Sequence, residues 1–253
     1  DGAKRVIQDR FGRVVQDVES IRPVRPGRDL VLSIDLRIQY LAYRELKAAI
    51  REQRAKSGSV IVLDVDSGEV LAMVNQPAYN PNDRDQINAR TYRNRAATDI
   101  LEPGSSIKPF VVAAALSSGK YSEQSIVDTS PGYIRVGVKP IEDKHNYGRI
   151  NLATILAKSS NVGMVHVAMQ LDKEALWNTL SRFGTGRLTT SGFPGESAGV
   201  LVPYQSWRPI GQATLAYGYG LSMTPLQLAQ AYAVLAAEGL HRPLSLVRIA
   251  QAP

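Results

Sequence analysis

At 253 residues, 44% of them hydrophobic and none of them cysteine, the chain is long enough to bury a core and excludes disulfide, thiolate and cysteine–zinc chemistry. Its longest apolar runs, residues 111–116 and 231–237, fall far short of the roughly 20 residues a membrane-spanning helix needs, and no signal peptide opens it, so any membrane anchor is expected N-terminal to this chain. The net charge of +7 is concentrated at the start, where residues 1–56 carry thirteen basic and eight acidic side chains; no nucleic-acid-binding motif accompanies it, so it reads as a solvated face suited to an anionic membrane surface, not to nucleic acid.

In chain order, residues 1–29 read as extended with turns, because Pro23, Pro26 and Gly27 break any helix. A short strand is expected over Leu30–Ile34, then Asp35 as the N-cap of an amphipathic helix from Leu36 to Arg54, whose apolar positions recur at three and four. The clearest strand signal is the pair Val60–Leu63 and Val70–Val74, joined through Ser67-Gly68 as a β-hairpin. Its unbroken apolar runs predict burial on both faces, as in a sheet covered by helices. Residues 76–104 are polar and irregular, and a helix from Ser105 to Ser118 ends at Gly119. Loops and short strands fill 120–150, and helices are expected over 151–158, from Asn161, over 172–183, and over Pro225–Glu238 with Thr224 as N-cap. Arg248-Ile249-Ala250 reads as the start of a further strand. The order of elements predicts an α+β fold.

The chemistry centres on Ser105-Ser106-Ile107-Lys108. Residues three apart share a helix face, so the Ser105 hydroxyl and the Lys108 amine can meet. A serine is a poor nucleophile until a base takes its proton, and a lysine amine can be that base where burial or a neighbouring cation lowers its pKa. A helix N-terminus adds free N–H groups beside the reacting carbonyl. Spacing alone is weak, since Ser117-Ser118-Gly119-Lys120 repeats it at a helix end of the wrong polarity. Taken alone, Ser105 and Lys108 also fit a capping serine and a solvated lysine, and Ser159-Ser160-Asn161 an ordinary capped helix start. His145, His166 and His241 share no context, so neither a Ser-His-Asp triad nor a metal site is expected, and no cofactor is called for. The Tyr217-Gly218-Tyr219-Gly220 run reads as close backbone packing and a turn.

Context decides between these readings. Glu102-Pro103-Gly104-Ser105-Ser106-Ile107-Lys108-Pro109-Phe110 resembles the active-site serine motif of the high-molecular-weight penicillin-binding proteins, and Lys158-Ser159-Ser160-Asn161-Val162-Gly163-Met164 resembles their Ser-x-Asn motif. The interval from Ser105 to Ser159 fits the monofunctional class B group, and Leu32–Asp35 with Gln39, the hairpin, and Tyr217–Leu221 add to the likeness. It is nearest to the division-specific penicillin-binding protein 3 group of Gram-negative bacteria. The resemblance implies a penicillin-binding and serine β-lactamase-like transpeptidase fold, an antiparallel sheet flanked by helices, with a linker and lead-in segment over 1–57 and an incomplete transpeptidase domain over 58–253. It implies a D,D-transpeptidase that cross-links peptidoglycan stem peptides in septal wall synthesis. Ser105 would attack the penultimate D-alanine carbonyl, Lys108 would be its base, Ser159 would relay a proton, and Asn161 would hold the substrate amide and orient Lys108. Glu102 and Ser160 would flank the substrate. The implied partners are D-Ala-D-Ala stem peptides, β-lactams, a glycosyltransferase and other divisome proteins, and the implied place is the periplasmic face of the bacterial inner membrane.

The sequence departs from the family in one respect. The third motif, Lys-Ser/Thr-Gly, is absent after Asn161; Lys56-Ser57-Gly58 spells it but precedes the serine and enters the hairpin. The C-terminal part of the domain is therefore expected to be missing, leaving a sheet edge unpaired and this chain alone impaired. A piece of a longer protein is the expected explanation, ahead of a natural truncation that has lost catalysis. The competing readings are a serine β-lactamase or carboxypeptidase, for which no deacylating glutamate can be identified, and a non-catalytic penicillin-binding-like module or scaffold.

Overall fold

In the computed structural model, which describes residues 2–83 and 88–249, the chain divides into two units between Leu32 and Ser33. The first holds an antiparallel ribbon of β1 (Ala3–Gln8) and β2 (Val14–Arg22). Its turn forms because the Asp9 carboxylate accepts from the N–H groups of Phe11 and Arg13, while Gly12 takes the left-handed conformation.

The second unit opens on Ser33 and Asp35. No regular strand forms over 30–34. The buried Ser33 hydroxyl donates to the Val70 carbonyl, and the Asp35 N–H donates to the Leu71 carbonyl, so this segment seals a sheet edge before turning into a helix. Asp35 then caps α1 (Leu36–Glu52), accepting from the Arg37 and Ile38 N–H groups. The hairpin follows as β3 (Gly58–Leu63) and β4 (Val70–Gln76), antiparallel as expected. Helix α1 packs on both strands and therefore belongs with the second unit.

Gln39 on α1 closes the free edge of β4. Its amide accepts from the Met73 N–H at 2.8 Å and donates to the Met73 carbonyl at 3.1 Å, imitating a neighbouring strand. Among the described residues no strand pairs with the outer edge of β3.

Two short helices follow, α2 (Ala89–Tyr92) and α3 (Arg95–Thr98), in the stretch read as irregular; residues 84–87 of that stretch lie outside the described residues. The expected helix at Ser105 splits into a 3₁₀ turn, Gly104–Ile107, and α4 (Lys108–Ser117). Pro109 has no N–H to complete an α-helical bond to the Ser105 carbonyl, and the Lys108 N–H donates there instead. Then come β5 (Ile126–Asp128), β6 (Tyr133–Val136), β7 (Lys139–Glu142), β8 (Arg149–Asn151), α5 (Leu152–Lys158), α6 (Asn161–Met169), α7 (Lys173–Arg182), β9 (Val200–Leu201), α8 (Pro209–Leu215), β10 (Leu221–Ser222) and α9 (Pro225–Ala236). Strands β5–β8, β6–β7 and β9–β10 pair antiparallel. Helix α8 went unread because Pro209 and Gly211 mask a seven-residue helix. Arg248 and Ile249 lie outside any strand, and Ala250 lies outside the described residues.

The result is an α+β architecture. Helix α1 lies against the hairpin, and α3 and α9 pack on β3. Helix α4 is the axis of the main core. Phe110, Val111, Ala114 and Ala115 are buried on it, and the Phe110 ring meets Phe183 at 4.8 Å and Tyr232 at 5.1 Å.

Gln39→Ala strands two backbone groups at the β4 edge. A loss of about 1–3 kcal/mol is expected in urea denaturation; an unchanged midpoint would show that water serves that edge equally well.

Candidate active site

The Ser105 hydroxyl is exposed at the start of the α4 segment, whereas Lys108 one turn on is 1% exposed. Three acceptors surround its amine. Lys108 Nζ donates to the Ser159 carbonyl at 2.6 Å, to Ser159 Oγ at 3.0 Å and to Asn161 Oδ1 at 2.8 Å. Ser159 Oγ donates in turn to Ser105 Oγ at 3.0 Å. The structure thus brings Ser105, Lys108, Ser159 and Asn161 together. Among the described residues the amine reaches Ser105 through Ser159, and no direct Lys108–Ser105 hydrogen bond is formed.

One sharp corner makes this possible. Ser159 ends α5 in the left-handed conformation, φ 53°, which a non-glycine residue adopts only under strain. Ser160 is extended and α6 begins at once, so side chains 159 and 161 both turn to Lys108. The corner is tight because Gly163 lets α6 touch α5: a Cβ there would lie 2.8 Å from the Ile155 side chain.

The approach to Ser105 is held as firmly. Leu101 and Met223 exchange two backbone hydrogen bonds of 2.9 Å, and the Gly104 N–H donates to the Gly218 carbonyl. At Gly218, φ +89°, an added Cβ would fall 1.9 Å from the Gly104 carbonyl oxygen. The Tyr-Gly-Tyr-Gly run is therefore a backbone clamp on the segment bearing Ser105.

Glu102 joins this clamp, its carboxylate accepting from the Gly220 N–H at 3.0 Å. Ser160 does not flank the cleft. It is fully buried, its hydroxyl donating to Asp143 and accepting from the Gly163 N–H. The two sequence decoys lie elsewhere: Lys56 and Ser57 are exposed ahead of β3, and Lys120 donates to the Gln170 carbonyl.

Sequence reasoning missed Asp143. It follows β7, its N–H donates to the Gly132 carbonyl, and its carboxylate accepts from Ser160 Oγ at 2.5 Å, the Asn161 N–H at 2.5 Å and the Val162 N–H at 3.1 Å. No local signal marks it, because β8 and α5 separate it from the helix N-terminus it binds, 18 residues on. Burial lowers the Lys108 pKa from 10.5 to about 8, and the Asp143 charge opposes that shift.

Comparison with known proteins identifies the family of the chain. Residues 58–252 match the family model described as penicillin binding protein transpeptidase domain. The chain belongs to that family. It is 44% identical, over all of its own length and 44% of the relative's, to a probable peptidoglycan D,D-transpeptidase PenA of Neisseria gonorrhoeae. It is also 44% identical, over 98% of itself and 42% of the relative, to the peptidoglycan D,D-transpeptidase FtsI of Escherichia coli. The chain thus spans less than half the length of these relatives. Among solved structures, the transpeptidase domain of Burkholderia pseudomallei penicillin-binding protein 3 superposes with a TM-score of 0.80 at 39% identity, over 90% of this chain and 65% of that one. These likenesses agree with a class B penicillin-binding protein close to penicillin-binding protein 3.

Two outcomes are expected. The folded-state pKa of Lys108 lies below its unfolded value, so the cost of the buried ammonium is fully present below pH 8, where both states are protonated. It is relieved as pH rises from about 8 to 10.5. Wild-type stability, measured against Lys108→Met, should therefore climb over that window by up to roughly 3 kcal/mol; a flat difference would mean the amine is not buried as a cation. Gly218→Ala should cost about 1–3 kcal/mol or more in thermal unfolding and slow acylation of Ser105 by a fluorescent penicillin; an alanine tolerated in both assays would remove the clamp.

Proposed function

We propose that the protein acts as a peptidoglycan D,D-transpeptidase, working through a Ser105 acyl-enzyme in septal wall synthesis and covalently inhibited by β-lactams. The observation that carries this is the continuous hydrogen-bonded chain from Ser105 Oγ through Ser159 Oγ to the buried Lys108 amine. With Lys108 neutral the chain reverses: Ser105 donates to Ser159, and Ser159 donates to the amine. Ser105 Oγ then forms a bond to the penultimate D-alanine carbonyl of a stem peptide, and its proton passes to Lys108. The N–H of Ser105, at the start of its turn, stabilises the oxyanion. On collapse the bond to terminal D-alanine breaks, and the leaving amine takes a proton back through Ser159. The amine of a second stem peptide attacks the ester, loses a proton to the same base, and frees Ser105 with the cross-link made. A β-lactam carbonyl enters the same first step, but its leaving nitrogen stays tethered. Asn161 holds the substrate amide while orienting Lys108, and Glu102 acts by shaping the segment before Ser105.

The transpeptidase names of PenA and FtsI support this reading, as does the family match. The substrate sets the place of action at the periplasmic face of the inner membrane, beside a glycosyltransferase and other divisome proteins, with an anchor elsewhere in the whole protein. No helix among the described residues is long and apolar enough to cross a membrane.

Intact-mass spectrometry after incubation with a penicillin tests the proposal. The whole protein should gain one penicilloyl adduct that Ser105→Ala abolishes, and Lys108→Ala or Ser159→Ala should slow its formation by roughly 10²–10⁴. A folded whole protein that gains no adduct would overturn the proposal in favour of a non-catalytic binding module.

A further inference from the structure

The charge of Asp143 favours the Lys108 ammonium; the side chains that bond to the amine, Ser159 and Asn161, are neutral, as is Ser105 beyond them. Asp143 does not touch the lysine. It binds the far side of the corner that the lysine binds, taking up donors from three consecutive residues, 160, 161 and 162, while Lys108 takes up acceptors from 159 and 161. The corner is thus held between a carboxylate and an ammonium.

The rest of the fold fixes that carboxylate in place. Val136 and Ile141 of the β6–β7 ribbon are buried against Val165 of α6 and Ala213 of α8, and the Asp143 N–H is tied to Gly132. A ribbon clamped onto α6 therefore delivers the carboxylate to that helix's N-terminus. Holding one capping hydroxyl would need no charge, since serine and asparagine cap helices about as well. A carboxylate that takes three donors makes a charge-assisted anchor.

We infer that Asp143 is a positioning residue of the acylation reaction, holding the Ser159–Asn161 corner against Lys108 and supplying the field in which that amine gains and loses its proton. The inference rests on the transpeptidase reading above.

Asp143→Asn and Asp143→Ala in the whole protein test it. The amide of Asp143→Asn keeps an acceptor for the Asn161 and Val162 N–H groups, removes the charge, and reverses the Ser160 contact, its NH2 donating to the hydroxyl that donates to the carboxylate. Two readouts are taken from pH 6 to 11: the acylation rate constant with a fluorescent penicillin, and the Lys108 titration by NMR of a ¹³C-labelled lysine Cε. In Asp143→Asn the midpoints of both should move to lower pH by on the order of one unit, because removing a negative charge disfavours the ammonium. In Asp143→Ala the plateau acylation rate should fall at least about tenfold as the corner loosens. Midpoints in Asp143→Asn that superimpose on the wild type's would overturn the inference, and a fall in melting temperature alone would leave Asp143 an ordinary helix cap. Should Asp143→Ala not fold, Asp143→Asn decides by itself. A wild type that is never acylated defeats the transpeptidase reading instead, and the NMR titration still decides the role of Asp143.

Discussion

The site depends on keeping the Lys108 amine out of water. A charge taken into the interior without partners costs several kcal/mol, and here it also lies at the N-terminus of α4, where the helix dipole adds repulsion. A second positive helix end, that of α6, comes close, because Asn161 on its first turn bonds the amine. Three neutral acceptors offset the lost hydration, and one carboxylate behind the corner offsets the convergence of like polarity. The balance leaves the amine at a pKa of about 8, low enough to be free to accept a proton and high enough to hold one.

That constraint explains features that would otherwise seem unrelated. Helix α4 is the axis of the core, and burying Phe110, Val111 and Ala114 on it while it packs against α6 and α7 is what lets its first residue be buried too. Ser159 must adopt a strained backbone, because two acceptors from one residue reach the amine only if its carbonyl and hydroxyl turn inward together. Gly163 must lack a side chain, because the corner closes against Ile155. Gly218 meets the same demand on the Ser105 side, where a single 3₁₀ turn, Gly104–Ile107, has too few internal hydrogen bonds to hold Ser105 by itself.

Much of this was legible in the sequence, for reasons that are local. Asp35 before an amphipathic run, Ser67-Gly68 between apolar strands and Thr224 before α9 are short-range signals, and each is used as read. The residues that meet at the site, Ser105, Lys108, Ser159 and Asn161, were legible as a pattern in fixed order. What could not be read was what each contact costs or excludes. Ser160 sits between two site residues, yet an α6 N-cap must face inward to its own helix and to Asp143. Glu102 lies three residues before Ser105, yet it bonds Gly220 across the fold. The apolar stretch 30–34 has strand composition, but the edge of β4 needed hydrogen-bonding partners that Ser33, Asp35 and Gln39 could supply without a ladder. Asp143 lies 18 residues from Asn161, and only the tertiary placement of a small ribbon brings them together.

The hydrogen-bond polarity is the last link. As arranged, Lys108 donates to Ser159 and Ser159 donates to Ser105, the pattern of a protonated base facing an oxygen ready to receive a proton. In the proposed reaction it is also the pattern required as the tetrahedral intermediate collapses, when the leaving amine must be protonated. The opposite pattern, needed to activate Ser105, requires only that Lys108 lose one proton and that two hydroxyls rotate; no heavy atom has to move. A hydroxyl is both donor and acceptor, so placing Ser159 between Lys108 and Ser105 lets one rigid corner pass a proton in either direction. A direct lysine–serine contact would fix the amine to a single oxygen. The exposed position of Ser159 at the corner, at the cost of a strained φ, puts the reversible member of the chain where a substrate can meet it.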